Sequence, residues 1–149
     1  MHDVISDYSW IGVPELETQC IREASKWHRR ELTDAVQGYV GFAKSRGSEN
    51  ADHYYKSVTR TANEALTQVR PTWSVERDDL SPDDLRLLAY VEQCMARAIR
   101  RGIALCRGTD ADYHIPFEMA KVAAYCAAGA DPSLMPPSRH ARKRDKKAA

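Results

Sequence analysis

Three groups of residues in this chain have types and spacings that chemistry can use. The first is Asp110-x-Asp112-x-His114, followed by Glu118. In an extended segment alternate side chains point the same way, so Asp110, Asp112 and His114 would face one side. Carboxylates and imidazole together suit a divalent cation, and such a cluster would support a small metal-dependent enzyme. The plainer reading is a solvated turn entering a helix, whose positive N-terminal end favours nearby carboxylates. No second cluster at a diagnostic spacing accompanies it, so neither a resident metal nor a cofactor is expected.

The second group is His28 and Glu31, one helical turn apart. Ferritin-like diiron helices carry Glu-x-x-His; here the order is reversed and partner carboxylates on other helices are missing. A buried, hydrogen-bonded pair is the expected outcome. His53, beside Tyr54 and Tyr55, falls on the polar side of its segment.

The third group is cationic. Arg86, Arg97, Arg100 and Arg101 fall on the side of one helical pattern opposite its apolar stripe, where guanidinium groups can meet carboxylates or phosphates bidentately. Beyond them, Arg139, Arg142, Lys143, Arg144, Lys146 and Lys147 stand against a single acid, Asp145. Residues 137–149 therefore carry +5, which leaves the rest of the chain at −4 out of a total of +1. A basic segment of this kind binds phosphates through charge alone, with strong salt dependence.

Other classes are disfavoured. There is no Gly-rich phosphate loop, nucleophile motif or carboxylate dyad. The four cysteines, Cys20, Cys94, Cys106 and Cys126, show neither C-x-x-C nor zinc-finger spacing; within helical patterns they are expected to act as small hydrophobes in a reducing, cytoplasmic setting. No apolar run is long enough to span a membrane, and Asp3 and Asp7 replace the positive start of a signal peptide.

The elements that position these residues are all helical. Pro14 suits a first helical position, and Leu16, Cys20, Ala24, Trp27, Leu32, Ala35, Tyr39 and Phe42 form an apolar stripe in a long helix near 14–46, with a kink or close approach expected at Gly38 and Gly41. Ser48 can cap a helix near 49–70 whose stripe is Ala51, Tyr55, Val58, Ala62, Leu66 and Val69, stopped by Pro71. Ser81-Pro82-Asp83-Asp84 is the clearest helix start in the chain, opening a helix near 82–107 with the stripe Leu88, Val91, Met95, Ile99 and Cys106. A fourth helix near 116–128 is apolar all round apart from Glu118 and Lys121, the pattern of a helix buried on every side. No alternating strand pattern of useful length occurs, so the expected fold is all-α: a compact bundle of about four helices over residues 1–136 and an extended basic tail over 137–149.

From these features the expected activity is non-catalytic. The helical body recognises a protein partner, as a regulator, inhibitor or assembly subunit, while the Arg face or tail meets an acidic or nucleic-acid surface. A sequence-nonspecific nucleic-acid binder is the second reading, opposed by the negative body, and the metal-dependent enzyme is the third.

Overall fold

The computed structural model describes residues 13–137, which form four α-helices with no strand among the described residues. They are α1 (Val13–Ser45), α2 (Tyr54–Val69), α3 (Pro82–Cys106) and α4 (Ile115–Ala128), with short 3-10 turns at Ala51–His53, Arg77–Asp79 and Pro132–Leu134. The all-α expectation holds.

Helix order around the bundle is not chain order. Two ion pairs, Arg86 to Glu17 at 2.5 Å and Arg100 to Glu31 at 3.1 Å, are separated by the same interval on both helices, about four turns, so α1 and α3 lie side by side and parallel. Rings of Tyr39 and Tyr54 meet at 4.4 Å, which places the end of α1 beside the start of α2. Tyr54 in turn meets Phe117 at 5.4 Å, so α2 and α4 begin together and run parallel. The sequence around the ring is α1, α3, α4, α2, and the segment between α2 and α3 must cross the bundle. It is held there by Arg77, whose guanidinium donates to the fully buried Glu92 carboxylate at 2.6 Å, to the Ser25 carbonyl at 3.2 Å and to the Ser25 hydroxyl. Arg29 approaches the same carboxylate at 3.4 Å and bonds Thr59 at 3.2 Å, so the buried charge is met from α1 and from the crossing segment.

The helix ends follow local chemistry. Ser81 caps α3 by accepting from the Asp84 N–H at 3.2 Å, with Pro82 next in line. Arg46, just past α1, donates to the carbonyls of Cys106 at 2.9 Å and Thr109 at 2.8 Å and so closes the far end of α3. Gly129, at φ +77°, ends α4 in the left-handed region, with Ala130 N–H bonded back to Tyr125. Ser48 does not cap α2. The chain enters through the 3-10 turn, whose Ala51 carbonyl accepts from the Tyr54 N–H, and no side chain caps the start of α2.

The stripe of α3 is buried as expected, and Ala51, Val58, Ala62 and Leu66 are buried along α2 and the turn before it, while Tyr55 turns outward. The first half of α1 differs. Its inward line is Ile21, Ser25, His28 and Leu32, spaced four, three and four, whereas Cys20, Ala24 and Trp27 are exposed. The offset is one residue, about 100° of rotation, and arises because a serine and a histidine occupy inward positions. Gly38 and Gly41 are exposed, would have nothing within 4 Å of an added Cβ, and lie in an unbroken helix, so no close approach explains them. The close approach is at Gly102, where a Cβ would lie 2.6 Å from the Pro116 Cα: α3 and α4 touch backbone to backbone.

Candidate functional site

α4 is not buried all round. Its inner side is Pro116, Ala120, Lys121, Ala124, Tyr125 and Ala128. Its outer side carries Ile115, Met119, Val122 and Cys126, spaced four, three and four, with Ile115, Val122 and Cys126 exposed and Val122 at 46%. The adjoining side of α3 carries Cys94, Ala98, Arg101 and Leu105 at the same spacing, and Leu105 is 58% exposed. Because Gly102 brings the two helices into contact, these lines adjoin as a double seam whose exposed members are Leu105, Ile115, Val122 and Cys126, interrupted by Arg101, with Cys94, Ala98 and Met119 half-buried between them. The apolar composition of α4 points to burial on every side; with only four helices among the described residues, none of them lies over this side.

The arginines of α3 divide into two kinds. Arg86 and Arg100 are engaged with α1 through Glu17 and Glu31, and Arg86 also approaches Asp83 at 3.6 Å. They clamp two helices rather than form an open docking face. Arg97 and Arg101 are exposed and joined by no ion pair to a described residue, and Arg101 lies within the α3 line of the seam. The tail residues Arg139, Arg142, Lys143, Arg144, Lys146 and Lys147 lie outside the described residues.

His28 and Glu31 do not pair. Glu31 is taken by Arg100, while the His28 Nδ1 is buried with no hydrogen-bond partner. His28 lies in a groove of about 410 Å³ between the first halves of α1 and α3, walled by Ile21, Ala24, Leu85, Ala89 and Tyr90. Of the cysteines only Cys106 is buried; Cys94 is half-buried, and Cys20 and Cys126 are exposed.

The Asp110 to Glu118 cluster resolves into a turn. The Asp112 carboxylate accepts from the His114 amide at 2.9 Å and meets its Nδ1 at 2.6 Å, so the segment bends where an extended one would align three side chains. Asp110 is exposed, and Glu118 approaches Lys121 at 3.6 Å. Among the described residues no three His, Cys, Asp or Glu side chains converge as a metal site requires.

Asp112 and His114 instead stand at one end of a cleft of about 810 Å³ between α2 and α4, closed along one side by Met135, Pro136 and Pro137. Aromatic rings make its floor at this end: Tyr54 on Phe117, and Tyr113 stacked on His114 at 4.3 Å. Beneath them Tyr39, fully buried, donates to the Tyr113 carbonyl at 2.7 Å. Burial pushes the Tyr39 hydroxyl far above its ordinary value, and burial raises Tyr54 as well. Halfway along the cleft is Lys121, 7% exposed, its ammonium over the Phe117 ring at 5.7 Å and donating to the Pro136 carbonyl at 3.2 Å. Sequence patterns do not reveal this cleft, because its walls come from helices far apart in the chain and a lysine in an alanine-rich helix reads as an exposed charge.

No described helix is long and apolar enough to cross a membrane. No protein-family model matches the chain, and no similar curated protein or solved structure is found.

Proposed function

We propose that this protein is a non-catalytic interaction module, a regulator, inhibitor or assembly subunit, whose helical body docks a partner protein. The observation that carries this reading is the outward apolar seam of α3 and α4. A helix apolar on every side is stable in water only when it is covered, and exposed contiguous apolar faces mark association surfaces. The partner's matching element is an apolar helical face flanked by acidic residues, because Arg101 within the seam and Arg97 beside it are exposed cations with no ion pair to a described residue. The basic tail adds attraction to an acidic or nucleic-acid surface.

The test compares wild type with L105E/V122E and with R101E as baits in nuclease-treated lysate of the native host, with cross-linking to locate contacts. Both sets of positions are exposed, so circular dichroism and melting should match wild type. A partner that is cross-linked to α3 and α4 on wild type should be lost with L105E/V122E and weakened with R101E. Retention by both variants would defeat the proposal, as would a partner cross-linked elsewhere. Light scattering on purified protein supplies the remaining outcome: a dimer that L105E/V122E converts to monomer would make the seam a self-association surface and displace the separate partner.

A further inference from the structure

We infer that the seam of α3 and α4 seats a single amphipathic helix of a partner protein, with one carboxylate of that helix on Arg101. This occupant rests on the docking role proposed above for the seam.

Arg29, ten residues before Tyr39 on α1, bonds Thr59, five residues after Tyr54 on α2, so these two helices run in opposite senses. α3 runs with α1 and α4 with α2, which makes α3 and α4 antiparallel. Their register is fixed where Gly102 meets Pro116. Counted from that contact at about 1.5 Å per residue, Leu105 stands about 3 Å along the axis from Ile115, Arg101 about 3 Å from Met119, and Cys94 about 3 Å from Cys126. A constant stagger makes the two lines a ladder.

Rotation about the axes leaves room for one helix above it. At about 100° per residue, the α3 line stands on average about 70° from the direction of Gly102 and the α4 line about 90° from that of Pro116, on the same side of the pair. A third helix touching both would lie about 60° from the line joining their axes, so both lines face it. Leu105 and Cys94, eleven residues apart, set a footprint of about 16 Å, the length of about three helical turns.

Charge selects the occupant. Arg101 is exposed on the second rung and joined by no ion pair to a described residue. A helix laid over the ladder takes water from its guanidinium, which is costly unless a carboxylate replaces that water. A carboxylate does so with two parallel hydrogen bonds. The two lines hold no acid, so a second copy seated there would add another Arg101 and nothing to neutralise either. The acid therefore comes from a different chain, set within an apolar stripe at four and three spacing.

Fluorescence anisotropy of labelled, helix-stapled peptides on the purified full chain at low salt tests this. Each peptide has about 16 residues, enough for the footprint, with leucines at four and three spacing and either Glu or Lys midway along the stripe. The Glu peptide should bind at least about tenfold more tightly than the Lys peptide. R101E should reverse that order, L105E/V122E should abolish binding of both, and K56E on α2 should change nothing. Absence of binding by both peptides up to about 1 mM protein would overturn the single-helix occupant. Capture of a host partner that L105E/V122E abolishes would still support the docking role in that case, so the two failures are told apart. Equal binding of the Glu and Lys peptides, or an order that R101E leaves unchanged, would overturn the contact at Arg101. Binding that survives L105E/V122E would overturn the helix's place on the seam.

Discussion

Tyr39 shows how a single buried polar atom connects the interior to the cleft. Its hydroxyl is enclosed by α1, α2 and the turn before α4, and its bond to the Tyr113 carbonyl holds that turn against the bundle. The same enclosure makes ionisation costly, so the folded protein keeps the proton at pH values where an unfolded chain releases it. With the native value raised, the stabilisation is complete below pH 10, the ordinary tyrosine value, and is lost as pH climbs beyond it. Tyr54 acts in the same direction. Urea unfolding from about pH 8 to about pH 11.5 should therefore show a falling midpoint above about pH 10. Y39F should lose about 1 to 2 kcal/mol at about pH 8, from the unsatisfied carbonyl, and then fall less steeply than wild type. Parallel pH profiles for the two proteins would deny Tyr39 this role. The residue is legible in the sequence as one member of a stripe; its bond to a carbonyl 74 residues away is not.

Among elements, α3 and α4 approach backbone to backbone, and Gly102 makes it possible. In an isolated helix glycine is worth about 1 kcal/mol less than alanine, so G102A would stabilise an α3 that stood alone. Here the added methyl meets the Pro116 Cα at 2.6 Å and its Cβ at 2.9 Å, a clash with backbone that the helices relieve only by separating. G102A should cost about 1 to 3 kcal/mol net and lower the melting temperature by several degrees. It should also weaken partner capture, because the seam's two lines would move apart. An unchanged or raised melting temperature would show that the two helices are not in backbone contact at this point. The α3 start at Ser81-Pro82 and its inward stripe are readable locally, since capping and periodicity depend on neighbours in sequence. The α1 stripe reads one residue out of place because Ser25 and His28 occupy inward positions that only Arg77 and the groove beside α3 account for.

At the scale of the molecule, charge is divided between the −4 of residues 1–136 and the +5 of residues 137–149, and the proposed division of labour between body and tail follows it. Removal of residues 138–149 takes away no apolar periodicity and leaves the wall formed by Met135, Pro136 and Pro137, so the melting temperature should stay within about 1 °C of full length. Nonspecific duplex binding at low salt should disappear, while capture of the seam's partner persists with a slower association rate. Duplex binding that survives truncation would move the nucleic-acid contact onto the body; partner binding abolished at every salt would make the tail the recognition element. The helical class, the helix ends with strong local signals and the asymmetry of charge are all readable from the chain alone, because periodicity, capping and net charge are sums over near neighbours. Only the folded arrangement settles which arginines are spent on α1, which side of α4 stays open, and that Lys121 is buried in the cleft between α2 and α4 over the Phe117 ring. Those depend on the order of helices around the ring, and that order is set by contacts between residues far apart in the chain.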